Sequence, residues 1–213
     1  MRKMLYLVRH CKAAGQQPEA ALTADGHLQA KLLAEKLAAL PIERIIASPF
    51  VRAKQSIAPL AERLGLPIAT DKRLAERVLA AGELPDWLAA LKSSFEDLDR
   101  CFAGGESSRA ATQRASEVAS EAIAHPVSTT LLVTHGNLMT LLLKHFDDRI
   151  GFAEWQRLTN PDVYRISFSA EPPEIARIWD ACSTRVSRAW GGMSVAGGTF
   201  CSQDGRSVTG SLR

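Results

Sequence analysis

The stretch Leu5-Tyr6-Leu7-Val8, which runs directly into Arg9-His10-Cys11, restricts the fold more than any other part of the chain. A short apolar run without alternation reads as a strand covered on both faces, because a half-exposed strand would alternate. Strands of that kind belong to α/β sheets flanked by helices. In open sheets of this class ligands sit beyond the carboxyl ends of the strands, which is where Arg9 and His10 would be delivered. Taken alone, the pair fits a strand that simply ends in polar residues, so its meaning depends on the remaining chain.

The pattern of strand and helix repeats along the sequence. Thr23 can cap a helix whose apolar stripe is Leu28, Leu32, Leu37 and Leu40, ending at Pro41. Ile42 to Ala47 reads as a second strand, and Ser48-Pro49 as the cap and first position of a helix running toward Leu64. Pro59 is expected to kink or shorten that helix. Residues 70–105 are weakly periodic and read as a cap inserted over the sheet. A helix follows from Glu106 to Ala124, with Val118 and Ile123 as its expected buried positions. Thr129 to Thr134 is the clearest strand, ending in His135-Gly136 before a helix that Asn137 can cap. Val163–Ser169 and Ile175–Trp179 complete the strands. The order predicts an α/β three-layer sandwich with a mainly parallel central sheet flanked by helices. One domain, 1–180, is expected. The glycine- and serine-rich segment 181–213 reads as a low-complexity, disordered tail.

Charge and cysteine content exclude several classes. The formal +3 of the 213 residues is carried by the tail, where Arg185, Arg188, Arg206 and Arg213 face only Asp204. Residues 1–180 are therefore formally neutral, which gives no electrostatic case for nucleic acid or a membrane surface. No apolar run has the length of a membrane span, and Arg9 interrupts the N-terminal one too early for a signal peptide. A cytoplasmic protein is expected. Cys11, Cys101, Cys182 and Cys201 have neither paired nor zinc-type spacing and read as free thiols. The Cys-x5-Arg spacing from Cys182 to Arg188 lacks the strand and glycine-rich turn of a phosphate cradle, and is taken as coincidence.

Three strands thus end in polar or basic residues followed by a helix start or a loop. Arg9 and His10 follow the first, Ser48 and Arg52 the second, and His135 the third. If the strands are parallel neighbours, these residues meet at one sheet edge. Cations and helix N-termini there form an anion site suited to phosphate. The runs Leu-Val-Arg9-His10, Ser48-Pro49-x-x-Arg52-Ala53-x-Gln55 and Val-Thr134-His135-Gly136 resemble the histidine phosphatase superfamily, which includes cofactor-dependent phosphoglycerate mutases. Leu74-Ala75-Glu76-Arg77 and Gly104-Gly105-Glu106-Ser107 match it as well, so the likeness extends in order from Leu5 to Trp179.

The resemblance implies roles. His10 would accept a phosphoryl group on nitrogen, which requires a neutral imidazole whose other nitrogen donates, expectedly to a backbone carbonyl. Arg9, Arg52 and His135 would bind the phosphoryl oxygens, with Gln16 and Gly136 as further contacts. Glu76 would protonate the leaving oxygen and then activate water; partial burial or a neighbouring carboxylate would raise its pKa for that task. Glu106 is the second candidate for the proton donor, although a first-turn acid also complements a helix dipole. Gln55 and Leu74 read as packing or rim residues.

The chain departs from the family after the histidine. Cys11-Lys12 stand where glycine and glutamate are usual. Lys12 would bring positive charge to the pocket rim, and the Cys11 thiol beside Arg9, Lys12 and Arg52 is expected to have a depressed pKa and redox sensitivity. These changes leave the phosphate residues in place and count against mutase activity. The expected function is a metal-independent phosphatase acting on a small phosphomonoester, with no cofactor. A phosphoglycerate mutase and a non-catalytic phospholigand-binding module are the alternatives. Arg77, Trp87, Lys92 and Arg100 are unranked candidates for substrate contacts, and nothing in the sequence specifies an oligomeric state.

Overall fold

Among the described residues the sheet has six strands: β1 (Lys3–Arg9), β2 (Arg44–Ala47), β3 (Ile68–Thr70), β4 (Thr129–Thr134), β5 (Asp162–Phe168) and β6 (Glu174–Arg177). Their spatial order is β3-β2-β4-β1-β5-β6. The four strands from β3 to β1 are parallel, while β5 runs antiparallel to β1 and β6 antiparallel to β5. The structure is a computed structural model that describes residues 3–179. The expectations for the 181–213 tail, Cys182 and Cys201 lie outside the described residues.

Register positions the chemistry. Arg9 pairs with Thr134 across β1 and β4, and Ala47 with Val133 across β2 and β4. The residues immediately after these strands, His10, Ser48 and His135, therefore emerge side by side at one edge. The two innermost strands are buried where the apolar runs predicted, with Leu5, Leu7, Val8, Leu131, Leu132 and Val133 at 1% exposure or less.

Among the described residues six α-helices flank the sheet: α1 (Ala24–Leu37), α2 (Val51–Leu64), α3 (Trp87–Glu96), α4 (Ser108–Ala124), α5 (Gly136–Phe146) and α6 (Phe152–Arg157). Alternate strand residues feed two separate cores. Tyr6, Val8, Leu131 and Val133 pack with Leu33, Leu37, Ile57 and Leu60 of α1 and α2. Leu5, Leu7, Ile46 and Leu132 pack with Val118, Leu138, Leu141 and Leu142 of α4 and α5. This is the three-layer α/β sandwich, and the period-two alternation of the strands generates it.

Several local expectations differ. In α1 the inward face is Gly26, Ala30, Leu33, Ala34 and Leu37, while Leu28 is 61% exposed. Helix α2 continues through Pro59 at full length. Proline removes one ladder bond, but Ile57, Leu60 and Ala61 bury around it, and that packing keeps the helix whole. In α4, Val118 is buried as expected, Ile123 only partly so, and four alanines complete the buried face. Strand β3 and helix α6 had no sequence signal; the former is three residues at the sheet margin and the latter buries none of its residues. Between β3 and α4 the chain forms a short 3-10 turn (Lys72–Leu74), then irregular segments around α3. Two glycines close this excursion. Gly104 has φ +65°, and a Cβ on Gly105 would lie 2.1 Å from the Leu79 carbonyl oxygen. That approach lets the Glu106 N–H reach the Val78 carbonyl at 2.7 Å.

Candidate active site

His10 follows β1 directly, with its ring already oriented. Its Nδ1 lies 2.6 Å from the Cys11 carbonyl oxygen, and Arg52 Nε donates to its Nε2 at 3.2 Å. The first contact requires N–H on Nδ1 and the second a lone pair on Nε2, so the tautomer is assigned by its neighbours. Burial pushes the His10 pKa down to about 4 against the opposing carbonyl contact, and the Arg52 and Arg9 charges lower it further. The imidazole is therefore neutral near pH 7.

Arg52, on the first turn of α2, is 1% exposed. Its Nη1 donates to the Gln16 and Gln17 carbonyls at 3.0 and 2.8 Å, which folds the loop after β1 back over the site. Ser56, one turn on, accepts from the Cys11 N–H at 2.8 Å and donates to the Arg52 carbonyl at 2.7 Å. Phe50 lies beneath the guanidinium, 4.8 Å from its carbon to the ring centroid.

The third strand places His135 in the same cluster. It is fully buried, with its ring centroid 5.1 Å from that of His10 and 4.8 Å from that of Phe50. Its Nε2 contacts Ser48 Oγ at 2.7 Å. Burial holds its pKa well below the ordinary histidine value, and the neighbouring cationic groups add to that. Ser48 is thus not the helix cap anticipated from Ser48-Pro49; α2 starts later, with Phe50 at the cap position and no side-chain bond. Ser48 orients His135 instead.

Arg9 reaches the turn that leads into β5. Its Nη1 donates to the Leu158 and Thr159 carbonyls at 3.2 and 3.4 Å. The turn that supplies them is anchored by buried Asp162, which accepts from Thr159 N–H at 2.9 Å and from the Arg177 guanidinium at 2.6 Å. From the same turn Asn160 Nδ2 donates to the His10 carbonyl at 2.7 Å. Asn160 and Asp162 carried no sequence signal, because their role depends on the antiparallel addition of β5 beside β1. Gly136 lies against Arg9: a Cβ there would come 3.0 Å from the guanidinium carbon. Arg9 Nε and His135 Nδ1 are both buried without a hydrogen-bond partner among the described residues. Two such atoms beside one imidazole form an incomplete polar cluster of the kind that an anion would complete.

Glu76 is half-buried and caps α5. Its carboxylate accepts from the N–H groups of Asn137 at 3.1 Å and Leu138 at 3.0 Å, and from its own neighbour Arg77 at 3.0 Å. Asn137 therefore does not cap this helix with its side chain, as the sequence suggested; His135 occupies the cap position and Glu76 the acceptor role. The segment bearing Glu76 is fixed by Thr134 Oγ1, which donates to the Leu74 carbonyl at 2.8 Å, and by Arg114, which donates to the Ala75 carbonyl at 2.9 Å.

Arg9, Gln16, Glu76 and Gly136 open onto one cavity of 780 Å³, whose other wall comes from residues 77–91 and Trp155. Glu106 does not line it. Its carboxylate is clasped by Arg114 at 2.7 and 2.8 Å, which makes it a buttress for the Glu76 segment rather than a second proton donor. Lys12 is exposed and bonds Asp25 at 2.9 Å, so it does not charge the pocket rim. Cys11 points into the core under α1 and α2, fully buried, and burial pushes its thiol up to about 12. The expectation of a depressed pKa is overturned because the thiol turns away from the arginines that flank the site. Of the four substrate-contact candidates, Arg77 and Trp87 line the cavity, whereas Lys92 pairs with Glu96 and Arg100 with Asp97.

Comparison with known proteins points the same way. Residues 5–181 match the family model of the histidine phosphatase superfamily (branch 1). A probable phosphoglycerate mutase GpmB from Enterobacter sp. (strain 638) is 30% identical over 194 residues, covering 82% of this chain and 89% of that protein. Among solved structures, mycobacterial glucosyl-3-phosphoglycerate phosphatase with inorganic phosphate superposes with a TM-score of 0.68 at 26% identity, over 84% of this chain and 97% of that one. A phosphoserine phosphatase mutant from Entamoeba histolytica with phosphoserine has a TM-score of 0.68 at 17% identity, over 82% of this chain and 96% of that one. Among the described residues no helix is long and apolar enough to cross a membrane.

Proposed function

This chain belongs to the histidine phosphatase superfamily, and on that premise we propose that it is a phosphatase hydrolysing a small phosphomonoester through a phosphohistidine on His10, without a metal or other cofactor. The observation that carries the reading is the state of His10: neutral, with Nδ1 bonded to a carbonyl and the Nε2 lone pair held among Arg9, Arg52 and His135. Such a nitrogen needs no base to prepare it for attack on phosphorus.

In the first half-reaction the Nε2 lone pair forms a bond to phosphorus as the ester P–O bond breaks. The leaving alkoxide oxygen takes a proton from the Glu76 carboxyl. Arg9, Arg52 and His135 stabilise the charge spread over the three remaining oxygens. His135 donates from Nδ1, with Nε2 satisfied by the Ser48 hydroxyl. In the second half-reaction water attacks the phosphohistidine, its proton passes to Glu76, and the P–N electron pair returns to His10. Gln16, at the cavity mouth, is a further candidate contact.

The test is turnover of an aryl phosphate in excess EDTA by the wild type and by His10→Ala, with base-stable, acid-labile phosphate trapped on the protein. Activity that survives EDTA and disappears in the variant supports the route. Binding of phosphate without turnover favours a non-catalytic phospholigand module. The GpmB relative makes mutase activity the second reading; isomerised product from 3-phosphoglycerate, rather than free phosphate, would establish it.

A further inference from the structure

The part of the cavity away from Arg9, Gln16, Glu76 and Gly136 differs in chemistry from the part those residues line. Its wall is made by Val78, Leu79, Leu84, Trp87, Leu91 and Trp155. Trp87, at the start of α3, and Trp155, in α6, meet edge to face with centroids 6.1 Å apart and planes at 79°. Trp155 stacks on Phe152 at 5.4 Å, and Phe152 contacts Phe95 at 6.3 Å, so the aromatic wall continues into the body. At the mouth, Trp87 and Val78 are 54% and 53% exposed, a large apolar area for a pocket rim.

Cations are scarce on this side. Arg77 lines the cavity, yet its Nε donates to the Glu106 carbonyl at 2.8 Å and its Nη1 to Ser94 and Ser108 at 2.8 Å each. Its Nη2 is buried without a hydrogen-bond partner among the described residues, so most but not all of the guanidinium is already engaged. Arg9 serves the phosphate end. Glu83, also on the wall, repels a second anion. Among the described lining residues on this side, a carboxylate or second phosphate on the leaving group would thus meet one cation, Arg77, whose Nε and Nη1 are already committed.

We propose that the leaving group is an uncharged apolar alcohol, aromatic or extended alkyl, seated against Trp87, Leu84, Leu91 and Trp155, rather than a phosphorylated acid or polyol. The proposal rests on the phosphatase reading and deepens it. Aromatic and aliphatic walls select by area removed from water, at about fourfold per buried methylene, so an apolar ester should be preferred by tenfold or more.

The experiment compares esters of similar intrinsic reactivity: 2-phenylethyl phosphate, glycerol 3-phosphate and 3-phosphoglycerate, with wild type and Trp87→Ala. The expected result is kcat/KM at least tenfold higher for the phenylethyl ester, with that ratio falling threefold or more in the variant. Equal or better use of either polar ester would overturn the proposal while leaving the phosphatase reading intact. Absence of turnover on all three would defeat that reading, and binding then decides the pocket. The probes are 3-phenylpropylphosphonate and 3-phosphonopropionate, titrated onto His10→Ala. Tighter binding of the phenyl compound supports the apolar wall as the selective element, and equal or reversed affinity overturns it.

Discussion

Protonation of His10 should cost the folded protein stability over a defined pH window. Its pKa is lowered from 6.5 to about 4, and at about 1.4 kcal/mol per unit the difference between folded and unfolded chain amounts to about 3.4 kcal/mol. Above pH 6.5 the imidazole is neutral in both states and the stability is fully present. As pH falls from 6.5 toward 4, the unfolded chain binds a proton that the folded protein excludes, and stability declines. Below about 4 both states are protonated and this contribution has been lost. At pH 5 about 2 kcal/mol should have gone through His10 alone, and His135, shifted in the same direction by its burial, adds to the decline. The assay is urea unfolding at pH 7, 6 and 5, with His10→Gln beside the wild type. Glutamine is a neutral side chain that does not titrate, so the variant should lose about 2 kcal/mol less between pH 7 and 5. A proton NMR titration of the imidazole in the folded protein supplies the site-specific value. Titration near 6.5, together with equal pH slopes for the two proteins, would refute the argument that burial among arginines keeps this nitrogen unprotonated.

Three further outcomes follow from particular contacts. Glu76→Ala should lower turnover by roughly 100- to 10,000-fold through loss of acid–base catalysis, and urea unfolding should show about 1 kcal/mol lost with the α5 cap; unchanged kinetics would remove Glu76 from the chemistry. Cys11 should react with iodoacetamide at neutral pH far more slowly than exposed Cys101, since burial raises its thiol to about 12; mass spectrometry of the labelled peptides reads the order. Asp162→Ala should destabilise by about 1–3 kcal/mol, because it removes the acceptor of buried turn N–H groups. It should also weaken phosphate binding by loosening the turn that holds Arg9 and Asn160, an effect that calorimetry with inorganic phosphate measures.

Much of the site was readable because its residues follow strand ends directly. Arg9, His10, Arg52 and His135 come together because three apolar runs become parallel neighbours in register, and a buried strand announces itself through its lack of alternation. Glu76 was identifiable only by resemblance, since the segment around it has no period; its position depends on Thr134, Arg114 and the N-terminus of α5, all distant in sequence. Glu106 shows the converse. An acid beside a glycine pair resembles a site residue until Arg114 claims it.

Local pattern by itself determined the α/β class, the strands whose ends meet at the candidate site and the neutrality of residues 1–180, because periodicity and composition act through short-range burial and charge. Side-chain direction was decided only by the tertiary structure. Cys11 follows His10 in sequence yet its side chain lies in the core under α1 and α2, since consecutive residues leaving a strand diverge. Ser48 was written as a helix cap and became the partner of His135, because a hydroxyl bonds whatever the packed fold brings within 3 Å. The apolar wall of Trp87 and Trp155 joins residues 68 positions apart. Its chemistry exists only once α3 and α6 have packed together, and no local signal could have disclosed it.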